Sequence, residues 1–336
     1  MKFIRSKKLV FINNKGGAGK TTLAFNCAVE FSKKGYKTVI IDLDPQCNIS
    51  RLALGDFFME KTLLEKEKSI YSVLKGLTEG GNDIDISVKF AKIQNDNLYI
   101  LPGNPKLSEF ETLLAIAYNQ AAAGHPLGYF QTSAIDRFLR HKGLGEDIDI
   151  FVIDTSPGLG YLNRIILLGS DYFVVPVMPD AFSLQGIANL GKILDEWKQN
   201  WKNTGRVLSG NIQNERVLAG EGLFIGYIVN SYNQYGGKPI KQHRNQMEEI
   251  PENVRLFLSE KHCKNGLVKE SGEKELQIIK DYGQLVPLSQ AKNVAIFELN
   301  EEDIAEKQIG SKENLEQAKE EFDKLSDNIL SVLSAY

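Results

Sequence analysis

The chain has 336 residues, 42% of them apolar and 25% charged, with a formal charge of −3. That composition belongs to a folded domain with a sizeable core and excludes a disordered or collagen-like chain. No apolar run approaches the ~18 residues of a membrane span, and near-neutral charge confines any nucleic-acid contact to a local patch.

The basic start, Met1 to Lys8, runs directly into a short apolar stretch, Leu9 to Ile12, too short for a signal peptide and read as a first strand. No DNA-reading helical extension is therefore expected ahead of it. A Gly-rich turn follows. Thr21 to Lys34 then carries Leu23, Ala24, Cys27, Ala28 and Phe31 at helical spacing, and Gly35 stops it. Thr38 to Ile41 is a second buried strand, so the opening is a βαβ unit and implies a parallel sheet. Phe151 to Ile153, Tyr172 to Val175 and Leu223 to Val229 repeat the pattern, and Val294 to Phe297 is a weaker candidate. Continuous rather than alternating apolar strands predict helices on both faces. The expected fold is an α/β, doubly wound, mostly parallel sheet forming one domain over 1–336.

Three stretches read as helical or irregular additions: 55–96, with a short helical piece at Ile70 to Leu77, 203–222 and 232–284. Leu315, Ala318, Phe322, Leu325, Ile329 and Val332 make 312–333 an amphipathic C-terminal helix. Cys27, Cys47 and Cys263 lack metal-ligand spacing, which favours a reduced, cytoplasmic setting.

The turn after the first strand reads Lys15-Gly16-Gly17-Ala18-Gly19-Lys20-Thr21-Thr22. A phosphate cradle needs inward-facing backbone N–H groups, a helix N-terminus behind them and a lysine for the β/γ oxygens. Gly16, Gly17 and Gly19 provide the approach and Lys20 the charge, while Thr21 is placed to ligate Mg²⁺. The usual G-x-x-x-x-G-K-[ST] pattern fails only at Asn14, and a lysine, Lys15, follows it. Asp42 and Asp44 close the second strand, and Asp154 closes Phe151-Val152-Ile153. Carboxyl ends of such strands face the nucleotide, so Asp154 is a candidate metal residue.

The Lys-Gly-Gly-x-Gly-Lys-Thr loop resembles the deviant Walker A motif of the ParA/MinD family of ATPases. Asp42-Leu43-Asp44-Pro45-Gln46 resembles that family's first switch, with Cys47 where glycine is common. Asp154 to Gly160 resembles the second switch. Val175-Pro176-Val177-Met178-Pro179-Asp180 with Ser183-Leu184-Gln185-Gly186, and Ile228-Val229-Asn230, resemble its nucleotide-flanking segments. The resemblance spans roughly 8–54, 97–110, 148–198 and 223–231, with a looser echo in 286–299.

It implies an ATP- and Mg²⁺-dependent, slow, partner-stimulated hydrolase. Lys15 would reach the nucleotide of a second subunit in an ATP-dependent homodimer. Lys20 and Asp44 would be catalytic, Asp44 acting on the attacking water, and Asp42 would lie near the metal. Asn230, Pro179 and Asp180 would flank the nucleotide, with Asn230 reading the adenine edge.

The ParA branch further implies nonspecific DNA binding, a ParB-like or other activating adaptor, and a cytoplasmic, nucleoid-associated protein that positions DNA or another cargo. Lys238, Lys241 and Arg244 form the candidate phosphate-contact patch. The alternative is a MinD-like membrane-cycling ATPase. Its basic lipid-lying helix is opposed here by Glu313, Glu316, Glu320, Glu321, Asp323 and Asp327, so stable membrane association is not expected. An iron-protein-type reductase would need paired cysteines after the switches, which the sequence lacks.

Overall fold

The computed structural model describes residues 3–56, 68–80, 83–93, 96–232, 234–235, 238–239, 241–263, 274–307 and 311–335, without the side chains of 231–244, 306 and 307. Its strands are β1 (Lys7–Phe11), β2 (Thr38–Leu43), β3 (Ala91–Lys92), β4 (Leu98–Leu101), β5 (Ile150–Thr155), β6 (Tyr172–Val177), β7 (Leu223–Tyr232), β8 (Gln234–Tyr235), β9 (Lys238–Pro239) and β10 (Glu275–Lys280). Eight of them form one sheet in the order β10-β7-β6-β1-β5-β2-β4-β3. Every pairing in it is parallel except that of β3 with β4. Strands β8 and β9 pair separately as a short antiparallel ladder.

Along β1, Leu9 and Phe11 face one core while Val10 and Ile12 face the other. All four are fully buried, as a strand covered on both faces requires. The first core holds α1 (Lys20–Lys33), α2 (Asn48–Leu54), α10 (Leu285–Lys292) and α12 (Lys312–Ser334). The second holds α3 (Ile70–Thr78), α4 (Leu107–Ala122), α5 (Pro126–Thr132), α6 (Ala134–Gly145), α7 (Tyr161–Gly169), α8 (Ala181–Asn200) and α9 (Lys241–Val254). A further short helix, α11, spans Glu301–Lys307. The apolar stripe of α12 packs on the first core: Ala318, Phe322, Leu325 and Ile329 are fully buried and Val332 is partly buried against it.

The sequence expectation needs correction at four places in the sheet: β4 is not among the apolar runs named above, and β3 falls inside the stretch 55–96 yet pairs with β4. Val294 to Phe297 is not a strand; Ile296–Glu298 is a 3₁₀ turn, pinned where the Ile296 amide donates to buried Asn26 Oδ1 at 2.9 Å. A short apolar run alone cannot tell a strand from a docked turn. Conversely, β10 lies inside the stretch 232–284 that reads as an addition, yet it extends the parallel sheet beside β7. Its sequence, Glu-Leu-Gln-Ile-Ile-Lys, is half polar because an edge strand is only partly covered.

Strand β1 sits between β5 and β6, where the winding direction of the sheet reverses. The crevice beyond the carboxyl ends of these strands is where an open α/β sheet binds ligands.

Candidate nucleotide site

The loop from β1 to α1 is anchored before it turns. Buried Asn13 donates through Nδ2 to the Pro176 carbonyl at 2.5 Å, and its Oδ1 accepts from the Lys15 amide at 2.9 Å. This ties the loop to the end of β6. Gly17 and Gly19 have φ of 76° and 83°, the left-handed region that glycine enters without Cβ strain. At Gly19 the space is also taken: an added Cβ would lie 2.1 Å from Asn230 Nδ2. Helix α1 starts directly behind, with its first amides free for an anion.

Lys20 is buried, and its ammonium donates to the Lys15 carbonyl at 3.2 Å. Burial pushes its pKa down, opposed by the nearby Asp154 and Asp44 carboxylates. An anion in the loop would relieve that penalty. The cavity in front has a volume of about 700 Å³ and is lined by residues 16–22 together with Asp44, Asn48, Arg51 and Asn293, among others.

Two carboxyls lie behind the loop in unlike settings. Asp154 Oδ2 accepts from Thr21 Oγ1 at 2.9 Å, while its buried Oδ1 has no hydrogen-bond partner among the described residues. Burial, with the neighbouring Asp42 adding to it, pushes this carboxyl up to about 8. An orphaned buried carboxyl oxygen beside a threonine hydroxyl fits Mg²⁺, a hard cation that prefers oxygen and keeps water and phosphate as its other ligands.

Asp42 is differently engaged. Its oxygens accept from the Asp44 amide at 3.0 Å, from the Ser50 amide at 3.2 Å and from the Ser50 hydroxyl. It therefore clamps the start of α2, and burial holds it at about 7. The Ser50 hydroxyl accepts in turn from the Gly103 amide at 2.9 Å, joining the clamp to the end of β4.

Asp44 faces the cavity, and its Oδ1 accepts from the Gln46 amide at 2.9 Å. The next turn explains the residue that departs from the family pattern. Cys47 adopts φ 57°, ψ 34°, a left-handed conformation natural to glycine. Its small unbranched side chain is buried, with Sγ 3.5 Å from the Pro45 carbonyl.

Lys15 Nζ pairs with Asp180 Oδ2, and Asp180 Oδ1 caps α8 by accepting from the Ser183 amide at 2.8 Å. Pro179 is buried and, like Asp180, lies away from the lining of the large cavity. Asn230 Nδ2 donates to the Ala18 carbonyl at 3.2 Å. The side chains of Lys238, Lys241 and Arg244 lie outside the described residues. Sequence reasoning missed Arg51. It stands one turn into α2, directly after the Asp44 loop, and that placement was the available signal. Asn293, also missed, donates to the Arg51 and Leu52 carbonyls at 2.9 and 3.0 Å, stapling α10 to the end of α2.

A doubly wound sheet with this loop at its reversal point defines a P-loop nucleotide hydrolase. Residues 6–206 match the AAA_31 family, an AAA domain, and the chain belongs to it, within the ParA/MinD-type ATPases. It is 26% identical over 286 residues to the virulence plasmid ParA family protein pGP5-D of Chlamydia psittaci, covering 76% of this chain and 97% of that one.

In fold it is similar to protein DIP2308 of Corynebacterium diphtheriae, with a TM-score of 0.72, 22% identity, and 97% and 98% of the two chains covered. The ATP complex of a substituted McdA from Cyanothece gives a TM-score of 0.65 at 15% identity, covering 97% and 96%. The chain is an ATP hydrolase with an ATP/Mg²⁺ site of the P-loop kind.

Proposed function

We propose that this ATPase forms an ATP-dependent sandwich dimer that binds DNA nonspecifically and hydrolyses ATP to partition or position DNA or another cargo. The observation that carries the reading is the separation of the two loop lysines. Lys20 lies inside the cavity against its own loop. Lys15 turns away from it to Asp180 at the surface, its side chain 27% exposed. A lysine so placed, once released from Asp180, can reach a neighbouring subunit's phosphates, which couples nucleotide to pairing.

In this scheme Gly16 to Thr22 cradle the phosphates, Thr21 and Asp154 hold Mg²⁺, and Asp44 orients the attacking water. Mg²⁺ would neutralise charge on the β and γ oxygens. Asp42 shapes the first switch through Ser50 rather than lining the cavity. Asn230 contributes base selectivity. One N–H of its amide donates to the Ala18 carbonyl, and its oxygen can accept from the exocyclic amine of adenine. Asp180 and Pro179 act as the frame of the Lys15 contact.

An activating adaptor of the ParB kind would trigger turnover. The inward-facing stripe of α12 supports this reading over lipid cycling, because its apolar residues are already occupied. No helix among the described residues is long and apolar enough to cross a membrane.

The test is DNA affinity measured with ATP, ADP and no nucleotide at two salt concentrations. Tight, salt-sensitive binding with ATP alone is expected. Joint charge removal at Lys238, Lys241 and Arg244 should flatten the salt dependence. Equal affinity in all three nucleotide states would sink the scheme.

A further inference from the structure

A second, smaller cleft of about 170 Å³ opens beside the loop, between Gly17, Gly19 and Asn230 on one side and Lys280, Asp281 and Tyr282 on the other. Lys280 ends β10, an edge strand that pairs with β7 alone, and Asp281 and Tyr282 follow it. The sheet therefore holds this wall from one side only, the Leu285 amide donates to the Tyr282 carbonyl at 2.9 Å, and α12 braces the wall through its side chains.

Glu321 Oε2 accepts from the Lys280 amide at 3.0 Å and from the Tyr282 hydroxyl at 2.7 Å. Its Oε1 accepts from Gln317 Nε2 at 2.9 Å. Lys280 Nζ donates to Asn314 Oδ1 at 3.1 Å and to Gln317 Oε1 at 3.2 Å. The next residue, Phe322, is fully buried and itself lines the cleft. One carboxylate thus fixes both ends of a three-residue wall, and the helix that carries it supplies an apolar floor.

We propose that the C-terminal helix completes the base pocket of the nucleotide site, with Glu321 as the positioning residue that sets the Lys280–Tyr282 wall against the adenine ring. This rests on the ATP reading above. The cleft adjoins the phosphate loop through Gly17, Gly19 and Thr22, so a nucleotide with its phosphates in the loop reaches the cleft with its base. The flat apolar surface comes from Phe322, Ile296 and Ile279. The polar edge comes from Asn230 and the wall that Glu321 holds in register.

The experiment compares ATP with inorganic tripolyphosphate, which shares the phosphates and lacks the base. In Glu321→Ala, loss of two hydrogen bonds to the wall should raise KM for ATP about tenfold while kcat at saturation stays within about twofold. Inhibition by magnesium tripolyphosphate should be unchanged. Glu321→Gln keeps an acceptor oxygen and should restore most of the ATP affinity. If Glu321→Ala does not fold, Asn314→Ala releases one bond to Lys280 Nζ and should raise KM by about two- to threefold.

A folded Glu321→Ala protein with wild-type KM overturns the proposal. So does an equal loss of ATP and tripolyphosphate affinity, which would mean general loosening of the site. Failure of the wild-type protein to bind either compound would instead count against the phosphate-loop reading.

Discussion

Lys15 and Asp180 are joined in an ion pair across 165 residues of sequence, linking the phosphate loop to the N-cap of α8. The same carboxylate caps the helix through its other oxygen. Burial works to raise the Asp180 pKa, yet the hydrogen bonds from Lys15 and Ser183 hold it below the usual carboxylate value. In the proposed dimer this pair must open before Lys15 can reach a partner. Asp180→Asn keeps the cap and removes the charge, so ATP-dependent dimerisation should tighten by about two- to fivefold, the scale of a partly exposed pair. Analytical ultracentrifugation with ATP measures this; an unchanged dissociation constant would show that the pair does not restrain Lys15.

Lys20→Ala removes the ammonium that faces the cavity. Charged hydrogen bonds to phosphate contribute about 1.5–3 kcal/mol, so ATP should bind at least about tenfold more weakly and turnover should vanish. Fluorescent-nucleotide titration reads the first effect and phosphate release the second. Normal turnover would refute the loop assignment.

Asp154→Asn separates metal binding from folding. The buried carboxyl has one oxygen without a partner among the described residues, so neutralising it relieves a desolvation cost while removing a metal charge. The variant should melt at or above the wild-type temperature without metal, yet lose about 10- to 100-fold in magnesium-supported ATP turnover. A lower melting temperature with unchanged magnesium dependence would assign Asp154 a structural role only.

Cys47 is held at φ 57°. Glycine relieves a left-handed strain of about 1–2 kcal/mol but forfeits the buried side chain, so Cys47→Gly should change stability by no more than about 1 kcal/mol. Valine, branched at Cβ, should cost more than about 2 kcal/mol in urea unfolding. Burial, with Asp42 and Asp44 nearby, pushes the thiol up to about 12. Alkylating reagents at neutral pH should therefore leave it unmodified.

His262 gives a pH signature away from the nucleotide. It is buried, with Nε2 3.3 Å from the Gly191 carbonyl and Nδ1 without a partner among the described residues. Burial, then the Lys198 charge, pulls its pKa down to about 4 from 6.5. The unfolded chain thus binds the proton first. The stabilisation is full above pH 6.5 and is lost as pH falls toward 4, by about 2 kcal/mol between pH 7 and 5. His262→Gln should flatten that part of the stability–pH curve, and an identical slope in the variant would place the effect elsewhere.

Much of the active end is legible in the sequence. Buried β1, β2, β5, β6 and β7 announce themselves as apolar runs because both their faces are covered. The glycines and Lys20 of the loop are required by phosphate chemistry at that spacing. Strand β10 was hidden because an edge strand carries a half-polar sequence, and Val294 to Phe297 misled because a docked turn is as apolar as a strand. The Cys47 departure had no account until its left-handed backbone was visible.

Local sequence decided where the phosphate cradle lies, since its glycines, its lysine and the helix behind them fall within eight consecutive residues. Tertiary structure alone decided what surrounds it: which carboxylate receives Lys15, which of Asp42 and Asp154 keeps an unpaired oxygen, and how Glu321 meets Lys280. The Lys15, Asp154 and Glu321 contacts join residues 165, 133 and 41 positions apart. Their geometry follows from the packing of helices on the sheet, which no spacing along the chain encodes.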